Sequence, residues 1–267
     1  MTDGPAPDLA SLVARLRVAG CVYAEEEAAL LSEAANGLAS LDVLAGRRLA
    51  GEPLEQVVGW VAFAGLRLAV APDVFVPRRR TELLVREAAR WAQPGAVVLD
   101  MCCGSGAVAA ALEAAVPGLD VWATDVDPAA QACARRNLPP PARVLGGDLF
   151  AALPPALRGQ VDLLVASPPY VPTAALPLMP REARLHEPRA ALDGGHDGLA
   201  VHRRLLAEAV DWLAPGGHVV LECGEDQTAE LTRQFSTYGL GAHGVHDALT
   251  GGSVVVGTGE GPSAGFL

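Results

Sequence analysis

Aromatic residues are scarce in this chain, at 4% of 267 residues, whereas hydrophobic residues make up 51%. A core of this composition must be built mainly from alanine, leucine and valine. The length allows one large domain, or a medium domain with a small one. The hydrophobic content and the positive mean hydropathy argue against global disorder.

Basic residues are also few, 20 against 31 acidic ones, which leaves a net charge of −11. A surface that binds duplex nucleic acid needs clustered positive charge, so nucleic acid is not expected to be the main partner. No apolar run reaches membrane-spanning length, and residues 1–7 are polar and lack the features of a secretory signal. We therefore expect no membrane partner.

The five cysteines form no C-x-x-C pair, and their number is odd. A disulfide framework, a zinc site or another metal site is therefore not expected. This cysteine usage is typical of a reducing compartment, so we expect a cytoplasmic protein.

The periodicity of the apolar residues divides the chain into three parts. Residues 1–50 follow helical spacing and predict a small helical N-terminal domain, with its first helix starting at Asp8. Residues 51–76 contain two short alternating runs, 57–63 and 66–70, which predict a β-hairpin linker. Residues 77–267 form the predicted main domain.

Strand and helix patterns alternate throughout the main domain. The predicted strands cover 96–99, 120–124, 143–145, 161–166, 218–223, 245–248 and 253–257, and the predicted helices cover 82–91, 107–115, 128–137, 198–213 and 228–238. Thr81 is the predicted N-cap of the first of these helices. The alternation predicts an α/β fold with a mostly parallel sheet and helices on both faces. Ligands of such sheets bind at the carboxyl ends of the strands.

Acidic residues and glycines follow the first strands of this domain. Asp100 precedes a loop in which Gly104 and Gly106 let the backbone approach a ligand closely. Asp125 ends the next strand, where an acidic side chain holds ribose hydroxyls in dinucleotide-binding folds. Asp148 follows the third strand. These five residues are the predicted cofactor-binding residues, and they indicate a cofactor that contains a nucleoside.

Both NAD and S-adenosylmethionine contain such a nucleoside, and two features favour S-adenosylmethionine. Ala109 stands where the third glycine of G-x-G-x-x-G would fall. Asp148 is in addition a third acid, placed to recognise an adenine amino group. The sequence therefore favours a methyl donor laid across the carboxyl edge of the sheet.

The fourth strand ends abruptly in Ser167-Pro168-Pro169-Tyr170. Proline has no backbone N–H, so the pair ends the sheet ladder and leaves free carbonyl groups. With the hydroxyl of Ser167 and the ring of Tyr170, the turn suits a planar N–H2 group, although a proline turn without such a role is equally typical of a strand end. We expect Ser167 and Pro168 to accept the two N–H bonds and Tyr170 to pack against the acceptor. No strong general base is required, because the proton is acidified as the new bond forms.

The chain resembles the release factor glutamine N5-methyltransferases, which are class I S-adenosylmethionine-dependent methyltransferases. The motifs that carry this resemblance are Val76-Pro77-Arg78, Gly104-Ser105-Gly106, Thr124-Asp125, Gly147-Asp148-Leu149, Ser167-Pro168-Pro169-Tyr170, Glu187-Pro188-Arg189, Asp197-Gly198-Leu199 and Leu221-Glu222.

This resemblance implies a Rossmann-like sheet, the cofactor S-adenosylmethionine, and methyl transfer to the glutamine side chain of a peptide chain release factor. Ser167, Pro168 and Tyr170 become the predicted catalytic residues, and Ser167 also a cofactor-binding one. The substrate-binding set adds Pro169, Glu187 and Arg189. The last two would order the loop that covers the acceptor, and the alternative is a purely structural ion pair between them in a proline-rich loop. The helical N-terminal domain would help to engage the protein substrate.

The chain departs from the family at several positions. Ser167 stands where the family has asparagine, Cys102 replaces the first loop glycine, and Arg79-Arg80 replaces Pro-Glu. These changes indicate a divergent paralogue. Alternatives therefore stay open: a nucleobase amino-methyltransferase, since Ser-Pro-Pro-Tyr also occurs in such enzymes, and a non-catalytic S-adenosylmethionine-binding protein. A nicotinamide dehydrogenase is less favoured.

Overall fold

A computed structural model describes residues 9–35 and 40–259 of the chain, so the predicted helix start at Asp8 lies outside the described residues. The helices are α1 (Leu9–Val18), α2 (Ala24–Ala35), α3 (Leu41–Leu49), α4 (Leu54–Val58), α5 (Glu82–Ala89), α6 (Ala107–Ala115), α7 (Pro128–Asn137), α8 (Arg181–His186), α9 (Ala200–Trp212) and α10 (Thr228–Thr237). The strands are β1 (Trp60–Phe63), β2 (Leu66–Ala69), β3 (Val97–Met101), β4 (Asp120–Asp125), β5 (Arg143–Gly146), β6 (Val161–Ala166), β7 (Leu213–Glu222), β8 (Leu240–Asp247) and β9 (Gly252–Gly259).

The first four helices pack around a separate apolar cluster that includes Leu16, Leu31 and Leu44. Val57 and Val58 belong to this cluster and lie in α4, so their prediction as strand residues was wrong. Packing against the other helices overrides the preference of valine for strands, because the preference of two residues is weak compared with their burial in this cluster. The helical cluster therefore extends beyond the predicted boundary at residue 50.

Strands β1 and β2 form the predicted antiparallel hairpin, in which Phe63 is opposite Leu66. Val61, Phe63 and Leu68 are buried in the apolar core of the main domain. The hairpin therefore packs onto the main domain, whereas α4 before it packs onto the N-terminal helices.

The main sheet has seven strands in the order β5-β4-β3-β6-β7-β9-β8. The first five of these strands are parallel, and β9 and β8 complete the sheet in antiparallel orientation. The predicted α/β class is confirmed. Strand β8 begins at Leu240, earlier than predicted, because residues of low strand propensity there are recruited by the ladder with β9.

Strand β6 lies at the centre of the sheet and is buried on both faces. Leu163 and Val165 face the apolar cluster on one side, whereas Leu164 and Ala166 face the cluster on the other side. An uninterrupted apolar run is what such a doubly covered strand requires.

Thr81 does not cap α5 with its side chain, contrary to the prediction. A short 3-10 helix, Arg79–Thr81, precedes α5 and continues directly into it, so the cap geometry does not form. The Thr81 side chain is buried instead.

Within the described residues, none of the helices combines the length and apolar character that crossing a bilayer requires.

We expect Leu164→Ala to lower the free energy of unfolding by about 2–5 kcal/mol, because it leaves a cavity beside a fully buried strand. Urea denaturation monitored by circular dichroism measures this loss. The matched control is Leu249→Ala, since the Leu249 side chain is 97% exposed and its truncation should change stability by less than ~0.5 kcal/mol. Equal losses in both variants would contradict the placement of β6.

Candidate active site

The loop between β3 and α6 forms the first wall of a cavity at the carboxyl edge of the sheet. Cys102, Gly104 and Gly106 have φ angles of 55°, 54° and 75°, in the left-handed region that favours glycine. A Cβ atom added at Gly106 would lie 2.8 Å from Cδ1 of Leu138. The loop therefore needs glycine at this position to pack against Leu138, the residue that follows α7.

Asp100 lies on β3 below this loop, and its side chain is 1% exposed. One carboxylate oxygen, Oδ2, accepts the backbone N–H of Ala109 in α6 at 3.1 Å. Burial raises the pKa of Asp100 to about 7, and the nearby charge of Asp125 adds to this effect. The carboxyl group therefore loses its proton at a higher pH than an exposed aspartate does.

Asp125 ends β4 and connects two loops of the cavity. Its Oδ2 accepts the backbone N–H of Gly104 at 2.8 Å, and its Oδ1 accepts that of Asp127 at 2.9 Å. Burial nevertheless raises the pKa of Asp125 above its usual range. The carboxylate thus holds the glycine loop in register with the segment that follows β4.

Asp148 follows β5 and lies at the outer rim of the same cavity. Its Oδ2 accepts a hydrogen bond at 2.7 Å from Arg204 of α9, and both side chains are more than half exposed. Sequence reasoning assigned no role to Arg204, and an arginine in the middle of a helix offers no motif that could have pointed to it.

The cavity extends across the ends of β3, β4, β5 and β6. Apolar side chains line part of it, among them Phe75, Val126 and Leu149. Val126 is 64% exposed although it is apolar, which leaves room for a flat apolar group against it. Five of the six predicted cofactor-binding residues are among those that line the cavity: Asp100, Gly104, Asp125, Asp148 and Ser167. Gly106 lies at the N-cap of α6.

The Ser167-Pro168-Pro169-Tyr170 turn closes the opposite end of this cavity. Ser167 and Pro169 line it. Within residues 9–35 and 40–259, the carbonyl oxygens of Pro168 and Pro169 accept no hydrogen bond from the protein. The turn therefore offers free acceptors, as the two prolines predict.

The side chain of Tyr170 does not line the cavity and contacts the end of strand β7 instead. Its hydroxyl donates a hydrogen bond to Oε1 of Glu222 at 3.1 Å, and the guanidinium of Arg80 lies 5.6 Å from the centre of its ring. Its carbonyl oxygen accepts the side-chain N–H of Gln227 at 2.9 Å. Sequence analysis predicted that Tyr170 packs against the acceptor. It did not predict these contacts of Tyr170 with Glu222, Arg80 and Gln227.

Glu222 ends β7 next to this turn and is 1% exposed. Burial raises its pKa, whereas the hydroxyls of Ser167 and Thr81, the charge of Arg80 and the hydroxyl of Tyr170 lower it. Sequence reasoning quoted Glu222 within a motif but gave it no role. Its position could have indicated a site residue, because Glu222 is an acid at the end of a predicted buried strand, as Asp125 is.

Glu187 anchors the loop over the cavity, but its partner is not the predicted Arg189. Both oxygens of Glu187 lie 2.7 Å from a guanidinium nitrogen of Arg78, and Oε1 also accepts the N–H of Val76 at 3.3 Å. Arg189 is largely exposed and pairs with Asp193 at 2.9 Å. Arg78 reaches Glu187 because the chain before α5 crosses the cavity, a tertiary contact without a local sequence signal.

Within the described residues, no three His, Cys, Asp or Glu side chains come together in a way that could hold a metal ion. Among the same residues, no histidine lines the cavity. The polar groups that do line it include the carboxylates of Asp100, Asp125 and Asp148 and the hydroxyl of Ser167.

We expect Asp100→Asn to change how stability depends on pH. Because the pKa of Asp100 is raised from 3.8 to about 7, the folded state binds the proton more tightly, and stability is lost as the pH rises through this window. Asparagine does not titrate, so the variant should gain up to ~4 kcal/mol relative to the wild type between about pH 4 and pH 8. Urea denaturation at several pH values measures the difference. Asp120→Asn, an exposed aspartate at the start of β4, should show no such trend, and a pH-independent effect of Asp100→Asn would contradict the expectation.

A family model described as a methyltransferase domain matches residues 98–186. A release factor glutamine methyltransferase of Geobacter sulfurreducens is 42% identical over 206 residues, which cover 76% of this chain and 72% of the relative. A 4-amino-L-phenylalanine/4-methylamino-L-phenylalanine methyltransferase of Streptomyces pristinaespiralis is 38% identical over 205 residues, or 74% of this chain and 70% of that protein.

Among solved structures, a methyltransferase from Pyrococcus furiosus superimposes with a TM-score of 0.56 at 19% identity, covering 80% of this chain and 97% of that one. This likeness confirms the predicted class I methyltransferase fold. The 42% identity to the Geobacter sulfurreducens protein, of which 72% is covered, shows that the chain belongs to the release factor glutamine methyltransferase family.

Proposed function

We propose that this chain transfers the methyl group of S-adenosylmethionine to the side-chain amide nitrogen of a glutamine in a peptide chain release factor. The observation that carries the proposal is the single cavity that runs from Asp100 and Asp125 to Ser167 and Pro169. The names of relatives such as the Geobacter sulfurreducens protein support this acceptor.

The residues at the first end of the cavity fit the cofactor. The carboxylates of Asp100 and Asp125 suit its positive charges and its ribose hydroxyls, and the loop at Gly104 allows close approach of the backbone. Val126 and Leu149 offer an apolar surface to a base. When bound, S-adenosylmethionine would supply an electrophilic methyl group.

The residues at the other end fit an amide nitrogen. The lone pair of an amide is delocalised into its carbonyl group, so the nitrogen is a poor nucleophile unless it is held in a reactive orientation. The Ser167 hydroxyl and the Pro168 carbonyl accept its two N–H bonds in the proposed arrangement. Positioning of this kind lowers a barrier by at most ~7–11 kcal/mol.

An aromatic amine is a second candidate acceptor. It too presents an N–H2 group attached to a planar system, and the Streptomyces pristinaespiralis relative is named for such a substrate. Ser167 favours this candidate, because its hydroxyl is shorter than the family's asparagine and lacks the N–H2 donor that would meet an amide carbonyl.

We expect calorimetric titration to show binding of S-adenosylhomocysteine to the wild-type chain and at least ~10-fold weaker binding to Asp125→Ala. The substitution removes the carboxylate that holds the backbone N–H groups of Gly104 and Asp127. Asp120→Ala is the matched control, because Asp120 begins the strand that Asp125 ends. A folded wild-type chain that binds no S-adenosylhomocysteine would refute the cofactor assignment.

We expect labelled methyl groups to appear on purified peptide chain release factors, and mass spectrometry to place the label on a glutamine side chain. Parallel incubations contain 4-amino-L-phenylalanine, duplex DNA or a cell lysate. Label on the aromatic amine but not on the release factors would contradict the glutamine acceptor and support the aromatic amine as the acceptor. Label on DNA alone would indicate a nucleobase acceptor, and cofactor binding without transfer to any acceptor would indicate a non-catalytic paralogue.

A further inference from the structure

Glu222 is a buried carboxyl group that the proposed mechanism does not yet use. It ends β7, and in the parallel register Ala166 of β6 pairs with Leu221, so Ser167 and Glu222 follow side by side at the edge of the sheet. Ser167 lines the cavity, whereas Glu222 lies behind it. The hydroxyl of Ser167 therefore stands between the acceptor end of the cavity and a carboxylate.

The two oxygens of Glu222 differ in their contacts. Oε1 accepts the Tyr170 hydroxyl at 3.1 Å and lies 3.7 Å from Nε of Arg80. Burial raises the pKa of Tyr170, so its phenol stays a donor. Oε2 is buried and, among the described residues, has no hydrogen-bond partner. One oxygen is thus held, and the other is free to accept a proton.

Burial raises the pKa of Glu222, and the groups around it oppose this shift by favouring the ionised form. Each of its side-chain neighbours (Arg80, Thr81, Ser167 and Tyr170) can donate a hydrogen bond. His202 lies behind the strand and bonds only the backbone carbonyl of Glu222, at 2.8 Å, and burial lowers its pKa to about 4. The neighbouring thiol of Cys223 stays protonated, because burial raises its pKa to about 11.

We propose that Glu222 receives, through the hydroxyl of Ser167, the proton that the acceptor nitrogen loses, while Tyr170 and Arg80 hold its carboxyl group in place. This inference rests on the proposed methylation of an N–H group. The nitrogen–carbon bond forms as the methyl–sulfur bond breaks, which leaves a neutral thioether. The N–H proton moves to Oγ of Ser167 as the hydroxyl proton of Ser167 moves to the carboxylate of Glu222. The products are a neutral N-methyl amide and a neutral Glu222.

The same cluster contains two of the positions at which the chain departs from its family. Arg80 takes the place of a glutamate and Ser167 that of an asparagine, and both approach the carboxyl group of Glu222. An arginine compensates the buried charge, and a serine hydroxyl can both accept and donate a proton, which an amide side chain does not readily do. The two replacements therefore support one proton path.

The test compares the wild type with Glu222→Gln, Ser167→Ala and the double variant. Glutamine keeps the oxygen that accepts from Tyr170 but removes the charge. We expect Glu222→Gln to lower kcat on the order of 100-fold, with KM for the acceptor and Kd for S-adenosylhomocysteine within twofold of the wild type. The double variant should be no slower than the slower single variant, because both substitutions break the same path.

Thermal unfolding is the second readout, and it does not depend on activity. Removing a poorly paired buried charge should raise the Tm of Glu222→Gln by roughly 2–4 °C, whereas a merely structural carboxylate would lower it when replaced. Glu87→Gln is the matched control, since Glu87 is another buried glutamate, 4% exposed, and pairs with Arg90 outside the cavity. It should leave kcat unchanged.

A kcat of Glu222→Gln within threefold of the wild type, additive losses in the double variant, or a lowered Tm together with a lowered kcat would each overturn the proton path. A wild type that methylates an aromatic amine instead of release factors would overturn only the proposed acceptor, and the four proteins are then compared on that amine. A wild type with no transfer to any acceptor would overturn both proposals.

Discussion

The parallel pairing of β3, β4, β6 and β7 is the constraint on which the candidate active site depends. Because the paired strands run in register, their carboxyl ends reach the same edge of the sheet, and Asp100, Asp125, Ser167 and Glu222 come together there. The apolar residues of β6 and its neighbours are buried on both faces, which fixes this register. A slip of one residue would turn the functional side chains into the core.

The same edge carries carboxyl groups that burial disfavours. Asp100 and Glu222 are each 1% exposed, and burial raises the pKa of both. The charge that acts on Asp100 is another carboxylate, Asp125, and Glu222 has only a long ion pair with Arg80, at 3.7 Å. Ionised groups in such positions reduce stability, so their presence together at one cavity is more typical of a functional site than of a structural one.

The segment before α5 shows how tertiary contacts give a charge run its roles. Three consecutive arginines would suit a solvated surface, yet Arg78 pairs with the buried Glu187 and Arg80 approaches Glu222, whereas Arg79 remains exposed. The segment thereby joins the loop over the cavity to the end of β7.

The sequence by itself determined the fold class, the ranges of α6 and α7, and the strand-end positions of Asp100, Asp125 and Ser167, because hydrophobic periodicity and turn residues act over a few neighbouring positions. Only the tertiary structure decided that Val57 and Val58 are helical, that Glu187 pairs with Arg78 rather than Arg189, and that Tyr170 turns toward Glu222. Each of these depends on burial or on a partner far away in the chain, and neither leaves a signal in the local pattern. The role proposed for Glu222 likewise depends on the tertiary structure, because the pairing of β7 with β6 is what places Glu222 beside Ser167.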